Sequence, residues 1–220
     1  MPGAVIIGAG PGIGQAVARR FAREGLPIAL LARSERTMRN VPEALTRTAD
    51  VADEDGLRTA LDELTAELGP PDAVVYNAAI IQPDGPGDLS ARAHLDAWAV
   101  NVVGALTAAA HLAPIMAGRG GGSFIVTGGM PEPKRDYVSL SLGKAGVRGL
   151  VELLDQEYGP SGVHVATVTV GGAVAPGTDF DPDAIAEHYW RLHAQPRDRW
   201  VREVLISAHG RYDDIHMSLK

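Results

Sequence analysis

The chain has 220 residues, a formal net charge of −7, no cysteine, and 45% hydrophobic residues. These values suit a single domain over 1–220 with a real core, and they exclude disulfides, thiolate catalysis and cysteine-ligated metals. Charges are interspersed without a basic stripe, which argues against nucleic acid, and no uninterrupted apolar run reaches membrane-spanning length. The expectation is a cytoplasmic protein with a small-molecule ligand, no membrane contact and no metal.

Ala4-Val5-Ile6-Ile7 has the length and apolarity of a buried strand, and residues 15–22 have helical periodicity. Between them lies Gly8-Ala9-Gly10-Pro11-Gly12-Ile13-Gly14. Glycines let a backbone turn sharply and approach a pyrophosphate. The following helix aims free N–H groups and its positive end at the anion. A tight structural turn could use the same residues, but strand, glycine loop and helix together favour a dinucleotide site.

Residues 27–32 read as a second buried strand, with Arg33-Ser34 at its carboxyl end. A third strand at 45–49 ends at Asp50-Val51. Residues 53–68 form an amphipathic helix with Leu57, Leu61, Leu64 and Leu68 on one face. Ala73-Val74-Val75-Tyr76 is a fourth strand, followed by Asn77-Ala78-Ala79 and a loop at 82–88 rich in Pro, Gly and Asp. One long helix is expected over 90–116, then a fifth strand at 123–127 and Gly128-Gly129. A helix at 138–158, a strand at 163–170, Gly171-Gly172, a helix at 182–193 and a last strand at 201–206 complete the pattern. The polar tail after Ser207 is expected to be loosely held.

Such alternation predicts a doubly wound parallel sheet with ligands at the carboxyl ends of its strands. Gly8, Arg33, Asp50, Asn77, Gly129 and Gly171 all fall at those ends.

Over nearly its full length the chain resembles the short-chain dehydrogenase/reductase family. The resemblance rests on Gly8, Gly12 and Gly14, on Asp50-Val51, on Asn77-Ala78-Ala79, on Asn101 within Trp98-Ala99-Val100-Asn101-Val102, and on Lys144-Ala145. It implies a Rossmann-type α/β sheet of seven parallel strands in the order 3-2-1-4-5-6-7. It also implies a dinucleotide held by Gly8, Pro11, Gly12, Ile13 and Gly14, with Asp50 and Val51 at the adenine. Asn77, Ala78 and Ala79 would lie by the ribose, Lys144 on the nicotinamide ribose, and Gly172 and Val174 after the sixth strand. Asp50 alone would also suit a helix N-cap. At the end of the second strand an acid would suit NAD, whereas Arg33, with Ser34, suits the 2′-phosphate of NADP(H). The family's two long helices pair across a dimer axis, so a homo-oligomer is expected.

Four groups form the family's catalytic centre, and the sequence carries two of them, Asn101 and Lys144. The tyrosine expected four residues before Lys144 is Leu140, and the serine after the fifth strand is Gly129. Tyr137, seven residues before Lys144, is a substitute candidate if its segment folds inward as a loop. Thr127, Ser139 and Ser141 are poorer ones. The substrate lid is cut down to 175–180. Two functions stay open: an atypical NADP(H)-dependent oxidoreductase with a non-standard proton donor, or a catalytically silent NADP(H)-binding sensor, scaffold or partner subunit.

Overall fold

The computed structural model describes residues 3–208 and the short strand at 212–214. Its sheet contains β1 (Ala4–Ile7), β2 (Ile28–Ala32), β3 (Leu45–Thr48), β4 (Ala73–Tyr76), β5 (Gly122–Gly129), β6 (Val163–Val170) and β7 (Glu203–Ile206). These seven are all parallel, in the order β3-β2-β1-β4-β5-β6-β7. This is the expected Rossmann-type order. An eighth strand, β8 (Tyr212–Asp214), adds antiparallel to β7. That part of the polar tail therefore joins the sheet edge, where a loosely held end was expected; backbone pairing to an open edge needs no apolar pattern.

Apolar runs replace alternation in the central strands because both faces are covered. In β1, Ala4 and Ile6 enter the core shared with α1 (Ile13–Arg23) and α6 (Pro182–His193). Val5 and Ile7 enter the opposite core with α2 (Glu54–Leu68), α4 (Gly104–Gly118) and α5 (Val138–Tyr158). Fully burying a valine or isoleucine side chain of this kind contributes about 1.5–3 kcal/mol. At the edge, β3 alternates between half-buried and exposed residues.

Asp53 caps α2 by accepting from the Gly56 N–H at 3.2 Å, and Glu54 and Asp55 follow in the first turn, where the helix dipole favours acids. The helix expected over 90–116 is three joined pieces: α3 (Ala91–Trp98), a π-helical turn (Ala99–Val103) and α4. Tyr76, at the end of β4, donates its hydroxyl to the Val100 carbonyl at 2.6 Å, giving a partner to a carbonyl in the widened turn. The joined stretch Ala91–Gly118 is long and apolar enough to cross a membrane, and 56% of its most apolar window is buried inside the fold. Strand β5 runs two residues further than expected and takes in Gly128 and Gly129.

Candidate functional site

The glycine loop divides its labour. Gly8 has φ +87°, and a methyl group there would lie 2.7 Å from the Ala78 Cα. A methyl on Gly14 would overlap the Gly8 carbonyl and lie 2.9 Å from the Ala9 Cα. These two glycines therefore serve the close approach of loop, helix and β4. Gly12, at φ +112°, and Gly10 both face open space. Gly12 is also the N-cap of α1, with no side-chain cap and no acidic residue in the first turn. The helix start is therefore left to bind an external anion.

Two cavities run along the carboxyl ends of the strands, of about 530 and 340 Å³, and Asn77 and Ala79 border both. The smaller is lined by Gly8, Gly10, Arg33, Ser34, Asp50, Val51 and Ala78 among others. Arg33 is exposed and makes no hydrogen bond or ion pair among the described residues. Asp50 accepts from the Ala52 N–H at 3.0 Å in a local turn; the N-cap of α2 is Asp53, so Asp50 is not the helix cap it would also have suited. Under the cavity, Gln15 Nε2 donates to the Thr37 carbonyl at 2.5 Å, and Thr37 Oγ1 donates to that of Ser34 at 2.7 Å.

The larger cavity takes in Pro11, Gly12, Ile13, Gly172 and Val174, and with them Thr127, Gly129, Tyr137, Leu140 and Lys144. Tyr137 stands just outside α5, with φ −147° and ψ 55°, so its segment does fold inward as a loop. Leu140 and Gly129, at the tyrosine and serine positions of the resemblance, face the same space. Lys144 is buried, and its Nζ donates to the Thr127 carbonyl at 2.6 Å. Burial holds its ammonium down at about 8. Thr127 Oγ1 donates to Asn77 Oδ1 at 2.9 Å and pairs at 2.7 Å with the Tyr189 hydroxyl, which burial pushes well above the usual phenol range. Asn77 Nδ2 in turn donates to the Gly8 carbonyl at 2.9 Å, tying cavity wall to glycine loop.

Two expected site residues lie behind the cavities. Gly14 packs beneath Gly8 and lines neither space. Asn101, buried in the π turn, accepts from the Ile80 N–H at 2.7 Å and donates to its carbonyl at 3.3 Å. It holds the loop after β4 instead of lining either cavity. Sequence reasoning missed Lys134 and Met130, which do line the larger cavity. Met130 has φ +47°, and Arg148 donates to the carbonyls of Gly129 and Met130 at 3.3 Å each, steadying the strained turn after β5. The 171–181 loop closes on itself through Gly177 N–H to Asp181 Oδ2 at 2.7 Å, and Phe180 lies against Gly172.

The short chain dehydrogenase family model matches residues 3–183. The glucose 1-dehydrogenase of Gluconobacter oxydans is 30% identical over 184 residues, covering 78% of this chain and 69% of that protein. The cis-4-hydroxycyclohexanecarboxylate dehydrogenase of Sinomonas cyclohexanicum is 30% identical over 185 residues, covering 79% and 74%. Among solved structures, a metagenomic short-chain oxidoreductase in complex with NADP superposes with a TM-score of 0.86 at 25% identity, covering 96% of this chain and 98% of its own. The chain belongs to the short-chain dehydrogenase family.

Proposed function

We propose that the chain is an atypical NADP(H)-dependent oxidoreductase of this family, acting on a small organic substrate in the cytoplasm as a single domain over 1–220. The observation that carries this reading is the pair of cavities meeting at Asn77 and Ala79, with Arg33 in the smaller, unpaired among the described residues. The residues present fit a dinucleotide. Gly10 and Gly12 leave open space at an uncapped helix start, a cradle for phosphate. Arg33 and Ser34 suit a 2′-phosphate, Asp50 and Val51 an adenine, and Ala78 and Ala79 a ribose lying against small side chains. The NADP held by the metagenomic relative supports the same cofactor here. When bound, the reduced nicotinamide supplies a hydride to a substrate carbon.

The chain's own residues shape the rest. Lys144 places positive charge and N–H donors at the inner wall of the larger cavity, and Asn101 acts from behind by fixing the 80–81 backbone. Leu140 offers no proton and Gly129 only its backbone, so the donor is a different group from the family's usual one. That same pair of residues favours the second reading, a silent NADP(H)-binding sensor, scaffold or partner subunit. We also propose a homo-oligomer through the long helices. Leu95, Trp98, Val103 and Leu106 on one, and Leu142 and Leu153 on α5, are large apolar side chains left exposed.

NADPH fluorescence titration tests binding, and NADPH absorbance with a panel of aldehydes, ketones and enones tests turnover. Binding with turnover supports the oxidoreductase; binding without turnover across the panel supports the silent reading; no binding overturns both. Light scattering of the pure protein tests the oligomer, and a monomer at micromolar concentration overturns that part.

A further inference from the structure

The segment before α5 is held by a residue far away in sequence. Asp84, only 3% exposed, accepts the Ser139 N–H on Oδ2 at 2.9 Å and the Ser139 hydroxyl on Oδ1 at 3.0 Å. Its backbone donates to the Asp136 carbonyl at 3.0 Å and accepts from the Val138 N–H at 3.1 Å, forming a short parallel bridge with Tyr137. Among the described residues Asp84 has no ion-pair partner. A buried carboxylate spent wholly on one helix start calls for a reason.

That reason lies at position 137. Tyr137 is the N-cap of α5 and supplies no side-chain cap. Ser, Thr, Asp and Asn are the residues that normally close a helix start, because their oxygens accept its free N–H groups. Asp84 performs that task from 55 residues away, which leaves the N-cap position free for a phenol. The phenol faces the larger cavity together with Leu140 and Lys144. Its hydroxyl has no partner among the described residues, whereas the hydroxyls of Tyr76 and Tyr189 are bonded to Val100 and Thr127. The cavity lining contains no carboxylate; its ionisable groups are Lys134, Tyr137 and Lys144. The chain has three lysines against seventeen arginines, and two of the three line the cavity that this phenol faces.

We propose that Tyr137 carries the proton in the reduction and that Asp84 is its positioning residue. This rests on the oxidoreductase reading above. As the substrate carbonyl carbon accepts a hydride from the reduced nicotinamide, its oxygen accepts the proton of Tyr137 Oη. The phenolate so formed shares the cavity with two lysines and no carboxylate, and regains a proton from water on the side where Lys134 is exposed. Hydride and proton together complete a two-electron reduction of the carbonyl to an alcohol.

The test uses the full chain, NADPH and the carbonyl panel. Tyr137→Phe should keep the NADPH dissociation constant and lose about a hundredfold or more in kcat. Tyr137→Ser, a better N-cap, should match or exceed the wild-type melting temperature and still lose kcat, which separates function from structure. Asp84→Asn should lower kcat by about tenfold with little change in KM, as expected for a misplaced acid. In the Tyr137→Phe background the same Asp84→Asn change should have no further effect on kcat. Acetylation by N-acetylimidazole, mapped by mass spectrometry, should modify Tyr137 and be blocked by NADP⁺. A chain that turns over but keeps its rate in Tyr137→Phe overturns this assignment and leaves the proposed function standing. A chain that binds NADPH, reduces nothing in the panel and shows no NADP⁺ protection of Tyr137 overturns both.

Discussion

Lys144 Nζ donates to the Thr127 carbonyl oxygen at 2.6 Å, tying α5 to β5 beneath the larger cavity. The amine is buried, and burial lowers its titration from 10.5 to about 8. The folded chain therefore binds fewer protons than the unfolded chain across that window, and stability should rise with pH between about 8 and 10.5. Lys144→Met should remove this rise, raise the melting temperature near pH 7, and weaken NADPH binding. Thermal melts of both proteins over this range check the difference; identical pH slopes would contradict the buried-ammonium account.

Arg33 gives a sharper distinction between cofactors. It lines the smaller cavity with no competing partner among the described residues. A charge-assisted hydrogen bond contributes about 1.5–3 kcal/mol, so Arg33→Ala should weaken NADPH by one to two orders of magnitude. NADH, without the 2′-phosphate, should change little. Parallel fluorescence titrations decide this, and equal losses for both would remove Arg33 from the phosphate site.

The two glycines ending β5 should respond oppositely to serine. A Cβ on Gly129 would have its nearest neighbour at 3.5 Å, ordinary contact distance, beside Lys144. A Cβ on Gly128 would collide with the hydroxyls of Thr167 and Thr169, one of them at 2.6 Å. Gly129→Ser should therefore fold like the wild type, whereas Gly128→Ser should lose about 1–3 kcal/mol from overpacking. Leu140→Tyr combined with Gly129→Ser should add carbonyl reductase activity. Denaturant melts and initial rates on the panel measure the two effects separately.

Acid should loosen the α6–β7 end of the sheet. The His164 ring lies 2.9 Å from both the Leu192 and Val201 carbonyls and stacks on Trp200 at 4.6 Å. Burial lowers its titration below 6.5 and outweighs the opposing pull of the two carbonyls and Asp155. His193 is lowered as well, first by burial and then by His164 and Arg119. Neutral rings are thus favoured in the fold, and stability is full above about 6.5 and falls as pH drops through that value. A melting temperature falling between pH 7 and pH 5, with a shallower fall in His164→Gln, is the expected result.

Local chemistry was legible in the sequence; long-range chemistry was not. The glycine loop and the buried strands follow from periodicity and neighbouring residue types, and the parallel sheet follows from alternation, while its strand order rests on the family resemblance. The cap of α2 is Asp53, three residues beyond the Asp50 that also suited an N-cap. The spacing of Gly14 suits a ligand contact, yet its missing Cβ makes room for the Gly8 carbonyl. The pattern over 90–116 predicts one unbroken helix around Asn101, and the π turn that aims it at Ile80 leaves no periodic trace in a run of alanines and valines. Asp84 lies in the loop at 82–88, where nothing local connects it to Ser139. Tyr137 hinged on where α5 begins, and that start is set by the remote Asp84, outside any window of neighbouring residues.

The wall that Asn77 and Ala79 share between the two cavities bears on how such a site measures length. A ligand reaching across it ties two weak attachments together, so once one half is seated the other sits at a high effective concentration. A mononucleotide or a free nicotinamide, confined to one side, gains nothing from its neighbour. The chain should therefore discriminate less by the identity of either half than by whether a single molecule joins them, and a mixture of the two fragments should remain a poor substitute at any practical concentration.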